Sequence, residues 1–301
     1  MMYRAELYRR RPVGAGGTQP TVERRQRTAG HRTERTIHFV AMSDVLLVER
    51  EGAVAVLRMQ RPEKHNAFNR ELDHALAEAL AALDADDDVV VAVLTGTGAA
   101  FSAGADMTEA VAAIDGKGRT EGMAATYAAL SSFRKPLIAC VNGIAYGGGA
   151  LVAILCDIRI ASDDAAFRFP GAAYGLVVGG AQLPRIVGPA VAKDLLFTAR
   201  VIRAEEALRV GLVNAVVPRA EVERAALEMA RQIAANSPPA LIATKATVDR
   251  ATAVDQGLAH EAEANRELRT SPEHHARFRA AAERVARRGE GRPSPGPIPS
   301  Q

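Results

Sequence analysis

The 301-residue chain predicts an α/β fold with a helical C-terminal region, and three patterns carry that prediction. Short β-branched runs punctuated by glycine recur through the first part of the chain. One of them, Val89–Leu94, is continuous, as in a strand buried on both faces. From Val222 onward helical periodicity replaces the strand signals. A composition of 48% hydrophobic and 24% charged residues is that of a globular protein and excludes wholesale disorder or a fibrous repeat.

In chain order, Val45–Arg50 and Ala53–Met59 flank a Glu51-Gly52 turn, a hairpin signal. Asn69 is placed to cap a helix whose one face carries Leu72, Leu76, Leu80 and Leu83. Asp86, Asp87 and Asp88 then break to the strand Val89–Leu94, which Gly96-Thr97-Gly98 ends. Leu137–Cys156 is uncharged and long enough to span a bilayer. Asn142 and four glycines, three of them consecutive, make it read instead as strand, tight turn and helix. Strand signals return at Asp157–Ala161 and Ala166–Phe169. Val222, Leu227, Met229 and Ile233 suit one helix, and Leu258–Arg269 and Pro272–Arg288 suit two more, with Asn236-Ser237-Pro238-Pro239 as punctuation.

The charge is unevenly placed. The formal net charge is +3 and the pI about 9.0. Residues 1–42 hold nine arginines and three glutamates, a net +6, which leaves −3 on the other 259 residues. That segment lacks hydrophobic periodicity and reads as a disordered basic extension. It has no apolar run of the kind a secretory signal needs, and three Glu with no Ser argue against an organellar transit peptide. Met42, just before Ser43, is a candidate start, which would leave the extension unmade. Residues 43–235 read as the core, 236–286 as a helical region and 287–301 as a loose tail rich in Pro, Gly and Ser. Cys140 and Cys156 lie in apolar runs and read as buried reduced thiols of a cytoplasmic protein. No metal-ligand spacing occurs among the seven His and two Cys.

Two glycine-containing turns are the candidate chemistry. Phe101-Ser102-Ala103-Gly104-Ala105-Asp106 follows the strand Val89–Leu94. Tyr146-Gly147-Gly148-Gly149-Ala150 follows Leu137–Val141 and opens a helix, whose N-terminus presents unpaired N–H groups and a partial positive charge. Side by side, such turns would aim two backbone donors at one oxygen, as in an oxyanion hole; apart, they are ordinary strand-to-helix turns. Neither is a Walker loop or a dinucleotide fingerprint. Asp106 and Glu109 look like a capping pair at a helix start, the alternative being a catalytic Asp106. His65 and His74 read as surface or packing residues. Lys64 is either a phosphate contact or a solvated cation.

Four blocks, in order, are similar to the crotonase superfamily, the enoyl-CoA hydratase/isomerase fold. Arg61-Pro62-Glu63-Lys64-His65-Asn66-Ala67-Phe68-Asn69 resembles its RPxxxNAxN segment. Leu94-Thr95-Gly96-Thr97-Gly98 through Asp106 resembles LTGxGxxFSAGAD, and Lys135-Pro136 through Gly149 resembles KPxIAxVNGxAxGGG. Ala204-Glu205-Glu206-Ala207 with Gly211–Pro218 resembles AxEAxxxGLVNxVVP. The resemblance runs from about Val45 to Arg288. It implies a spiral of β-β-α repeats with a helical C-terminal region that drives homotrimers or dimers of trimers. It implies an acyl-CoA thioester as substrate or ligand, no further cofactor, and a place in fatty-acid or acyl-CoA metabolism. Carried over by motif, Ala105 and Gly148 supply the oxyanion N–H groups. Lys64, His65, Ala67 and Ala103 line the path of CoA, and Asp106, Met107, Gly147, Leu151 and Gly171 complete the pocket.

The sequence departs from a hydratase of this family at two positions. The glutamate two places after the triple glycine is Leu151 here. The glutamate after Phe-x-x-Pro is Gly171, following Phe167-Arg168-Phe169-Pro170. Gly175–Gln182, where other members place a carboxylate, has no acid and is about three residues shorter than usual. Tyr146 and Tyr174 are the nearest titratable groups by sequence. Near the C-terminus, Ala280-Ala281 stands where an aromatic often covers CoA, with Phe278 close by. Each general acid or base is worth about 10²–10⁴-fold, so the expectation is thioester enolate chemistry of the lyase or isomerase class without hydration, decarboxylation fitting best. The alternative is a non-catalytic fatty acyl-CoA-binding protein. RNA binding through the basic extension is the least favoured reading, because the body is acidic and few aromatics interleave with the arginines.

Overall fold

A computed structural model describes residues 38–117 and 122–290. Residues 1–37 of the expected extension and 291–301 of the expected tail lie outside the described residues. The hairpin read from the Glu51-Gly52 turn is β2 (Leu46–Glu51) and β3 (Val54–Met59), paired antiparallel. One strand precedes it, β1 (His38–Ser43), antiparallel to β2. The core therefore reaches five residues upstream of the expected boundary at Ser43. Composition hid this, because an arginine-rich stretch runs directly into Ile37-His38-Phe39-Val40, a run of β-formers.

The helix expected after Asn69 is α1 (Arg70–Ala85). The Asn69 side chain accepts from the Leu72 N–H, and Leu72, Leu76, Leu80 and Leu83 are all buried. Strand β4 (Val91–Gly96) is buried along its whole length, as the unbroken apolar run requires. From β4 the chain alternates between two sheets. It passes β5 (Ala100–Ser102), helices α2 (Met107–Ile114) and α3 (Ala124–Ser132), β6 (Leu137–Val141), β7 (Ile144–Tyr146) and α4 (Gly148–Leu155). It continues through β8 (Ile158–Ser162), β9 (Ala166–Arg168), α5 (Leu183–Thr198), β10 (Val201–Arg203), α6 (Ala204–Arg209) and β11 (Ala215–Val217). A seven-stranded sheet has the order β1-β2-β3-β4-β6-β8-β11, and a four-stranded sheet the order β10-β9-β7-β5. Successive parallel pairings, β4 with β6 and β6 with β8 in one sheet, β5 with β7 and β7 with β9 in the other, wind the chain into a spiral of β-β-α turns.

Helix α7 (Val222–Ala234) covers the outer face of the large sheet over Val54, Val91, Val93 and Ile138. Three helices follow, α8 (Pro238–Ala251), α9 (Asp255–Leu268) and α10 (Pro272–Glu290). Pro238 and Pro239, expected as punctuation, are the first residues of α8, where a missing N–H costs nothing. Helix α10 continues to Glu290, beyond the expected boundary at residue 286. Among the described residues no helix is long and apolar enough to cross a membrane; Leu137–Cys156 is divided among β6, β7 and α4. Cys140 and Cys156 are free and buried, and burial pushes their thiols up to about 11 and about 12.

Candidate active site

The first and second family-like blocks are stitched together by Asn66, which is wholly buried. His65 and Asn66 both sit in the left-handed region, at φ 50° and 54°. The Asn66 side chain accepts from the Arg61 N–H and donates to the carbonyls of Thr97 and Ala100. Its own carbonyl accepts from Ser102 Oγ, which in turn accepts from the Gly104 N–H. The Ala103 N–H donates to His65 O at 2.9 Å. Arg61 donates to Ala67 O and to Asp106 Oδ2, the latter at 3.0 Å. Lys64 and His65 project into solvent, while Ala67 is buried beneath them.

Asp106 is structural. It caps α2 by accepting from the Thr108 N–H at 3.0 Å. Burial pushes its carboxyl up, but hydrogen bonds from Arg61 and the Thr108 N–H, with the charges of Arg61 and Lys64, outweigh that and hold it below the ordinary value. The expected reciprocal capping by Glu109 is not formed. Glu109 Oε2 instead accepts from the Arg70 N–H, at the start of the neighbouring helix α1. Met107 opens α2 and is half-buried.

The two glycine turns lie against each other. Phe68 bridges to Ala105, its N–H donating to Gly104 O at 2.7 Å and its O accepting from the Asp106 N–H at 2.8 Å. Alternation along an extended segment then turns the Ala105 N–H the opposite way. Gly104 has φ 93°, and a Cβ there would stand 2.7 Å from Tyr146 O and 2.9 Å from Gly148 N. Only glycine lets these turns approach so closely. Gly147 caps α4 with φ 54°, and its N–H donates to Arg168 O. Gly148 is the first residue of α4, so its N–H has no partner within the helix. Among the described residues neither the Ala105 nor the Gly148 N–H donates to a protein acceptor.

Leu151 is half-buried. Its Cδ1 lies with Ile154 Cδ1 and Phe169 Cδ1 around Gly179, each within about 4 Å of a Cβ placed there. Gly171 is buried at the start of a 3₁₀ turn, Ala172–Tyr174. A Cβ on Gly171 would stand 2.9 Å from both Leu176 O and Val178 N, so the short segment 175–182 closes directly onto this position. Helix α9 pins that segment. Asn265 bonds both the N–H and the O of Val177, and Glu261 accepts from the N–H groups of Gly179 and Ala181.

Of the tyrosines nearest by sequence, Tyr174 packs edge-on against Phe278 of α10, with centroids 5.6 Å apart. Its carbonyl meets His274 Nδ1 at 2.7 Å. The phenol beside the turn is Tyr127 on α3, which sequence reasoning missed. A Cβ on Gly148 would meet Met123 Sδ at 2.3 Å and the Tyr127 hydroxyl at 2.8 Å. No local signal marks Tyr127, because its proximity depends on α3 crossing the start of α4.

Lys135, in the third family-like block, is also structural. Its Nζ donates to Leu83 O and Asp86 O at the end of α1. His74 lines a surface cleft of about 540 Å³ with Ser43, Asn69, Glu71, Glu78 and Glu109. Among the described residues no group of acidic, His and Cys side chains could hold a metal.

The sequence profile of the enoyl-CoA hydratase/isomerase family matches residues 49–290. The chain belongs to that family. The short-chain-enoyl-CoA hydratase of Clostridium acetobutylicum is 41% identical over 231 residues, covering 73% of this chain and 87% of that protein. The 2,3-dehydroadipyl-CoA hydratase of Escherichia coli is 36% identical over 221 residues, covering 72% and 87%. Among solved structures, the enoyl-CoA hydratase/isomerase of Pseudoalteromonas atlantica superposes with a TM-score of 0.73 at 31% identity, covering 80% of this chain and 97% of that one. The family's spiral and C-terminal helical region are both present here.

Proposed function

We propose that this family member binds an acyl-CoA thioester with its carbonyl oxygen between the N–H groups of Ala105 and Gly148. It then uses the resulting enolate stabilisation for chemistry other than hydration. The observation that carries this reading is the pair of acceptor-free N–H groups brought together across Gly104. The relatives' names supply the substrate class, since the hydratases of Clostridium and Escherichia coli are named for enoyl-CoA thioesters. In this reading CoA passes Lys64 and His65, which are exposed, and Ala67 and Ala103.

The positions where a hydratase would hold its two glutamates are read as Leu151 and Gly171. With neither carboxylate, a reaction that needs only electron withdrawal is favoured. In decarboxylation of a malonyl-type thioester, the bond from the α-carbon to the carboxylate breaks and CO₂ leaves. The electron pair moves to the oxygen held by the two N–H groups, and the α-carbon then takes a proton from water. Removing one such donor costs about 10²–10³-fold, which sets the scale of what the turns contribute.

The test is a panel of enoyl, 3-hydroxyacyl and malonyl-type thioesters read for turnover and for thermal shift. Turnover of a malonyl-type member with little crotonyl-CoA hydration supports the proposal. Background rates throughout, with no thermal shift, overturn it. The apolar surroundings of Leu151 favour a second reading, a fatty acyl-CoA carrier, which predicts a thermal shift with long-chain thioesters and no turnover. A ligand at 100 times its Kd stabilises by about 2.7 kcal/mol. The assembly proposed is a homotrimer or a dimer of trimers. Helices α8 and α9 bury none of their residues within one chain, and Val248 and Leu258 on them are exposed. Light scattering tests this.

A further inference from the structure

The Tyr127 hydroxyl reaches the Gly148 turn, and its present partner is poor. The hydroxyl donates to Met123 Sδ at 3.4 Å, and a thioether sulfur is a weak acceptor. An enolate oxygen would be a far better one, since hydrogen bonds to ionised groups are roughly twice as strong as neutral ones. We propose that the Tyr127 hydroxyl is a third hydrogen-bond donor to the thioester oxygen, turning from Met123 to the enolate as charge develops there. This rests on the acyl-CoA reading above and deepens it.

The chain holds this donor deliberately in place. Asp73, buried on α1, accepts from the Thr126 N–H at 2.8 Å and from the Ala125 N–H at 3.4 Å, and its carbonyl accepts from Thr126 Oγ1 at 3.2 Å. The first turn of α3 is thereby fixed against α1, with Tyr127 one residue beyond the clamp. Gly148 has no Cβ to stand in the 2.8 Å space where the hydroxyl lies. Burial raises the phenol's pKa, and Asp73 and Glu261 add to that against the opposing charge of Arg269. The group is therefore a neutral donor across the physiological range, which a base in this position could not be.

The test compares wild type with Tyr127→Phe, which keeps the ring and its packing. The readouts are turnover of the best thioester from the panel and the carbonyl stretching frequency of a bound ¹³C-labelled acyl-CoA by difference infrared spectroscopy. The expected result is kcat lower by roughly 10²-fold, the lower end of what one oxyanion donor supplies. KM should be little changed, and the downward shift of the bound carbonyl smaller than in wild type. Met123→Leu, which removes the sulfur acceptor and keeps the hydroxyl, should retain the wild-type carbonyl shift. If Tyr127→Phe leaves both the frequency and kcat at wild-type values, the third donor is refuted and the two-donor reading stands. If wild type itself shows no carbonyl shift on binding, both fall together.

Discussion

Placing a glutamate at position 171 tests the pocket wall more sharply than any other change. The substitution Gly171→Glu would set a Cβ 2.9 Å from Leu176 O and Val178 N, and 3.2 Å from the Val178 Cβ. Ordinary contact begins near 3.4 Å, so the main chain at 176–178 must withdraw by about 0.5 Å. That segment is not free to do so, because Asn265 holds Val177 on both sides and Glu261 holds Gly179 and Ala181. Overpacking of a fitted site costs about 1–3 kcal/mol. At about 2–4 °C per kcal/mol for a chain of this size, melting should fall by roughly 2–12 °C. The assay is a melting curve of wild type, Gly171→Glu, Asn265→Ala and the double variant. The Asn265 change releases Val177, so it should make the glutamate cheaper than the two single effects predict together. Leu151→Glu, by contrast, replaces a side chain that is already only half-buried, and should fold. A Gly171→Glu protein that melts with the wild type would refute the account of the wall. It would mean that segment 175–182 does not close on Gly171.

Other outcomes follow from the same contacts. Asp106 has a lowered pKa in the folded state, so its contribution is present above its unfolded pKa and is lost as pH falls through the lower folded value. Acid melting below about pH 4 should therefore be shallower in Asp106→Asn than in wild type, read by circular dichroism against pH. Asp73→Ala strips the α3 cap and leaves two N–H groups without their partner; urea unfolding should show a loss of about 1–3 kcal/mol. Cys140 and Cys156, buried and pushed to about 11 and about 12, should not react with a thiol reagent at pH 8 until the protein is unfolded.

The regular parts of the fold were legible because local pattern and tertiary demand agreed. β4 is a continuous β-branched run because both faces are covered, and α1 shows its leucine stripe because one face is. The two glycine turns could be read as a candidate pair, but their contact could not. It depends on β5 and β7 lying side by side, which no spacing states. Where reading failed, a long-range partner had displaced a local one. Glu109 caps α1 rather than its own helix, and the Tyr127 hydroxyl, from a helix distant in sequence, lies beside Gly148. Asn236-Ser237-Pro238-Pro239 does separate α7 from α8, with both prolines in the first turn of α8, where no N–H is needed. Strand β1 was masked by the arginines before it.

The central claim, a thioester pocket that stabilises an enolate without hydratase carboxylates, is tested most directly by one competition. Wild-type protein is given equal concentrations of crotonyl-CoA and a malonyl-type CoA thioester, and both products are followed by mass spectrometry. The account predicts decarboxylated product as the main product, with crotonyl-CoA hydration near the uncatalysed rate, because neither acid nor base is present to assist it. Rapid hydration of crotonyl-CoA with the malonyl-type thioester untouched would contradict it.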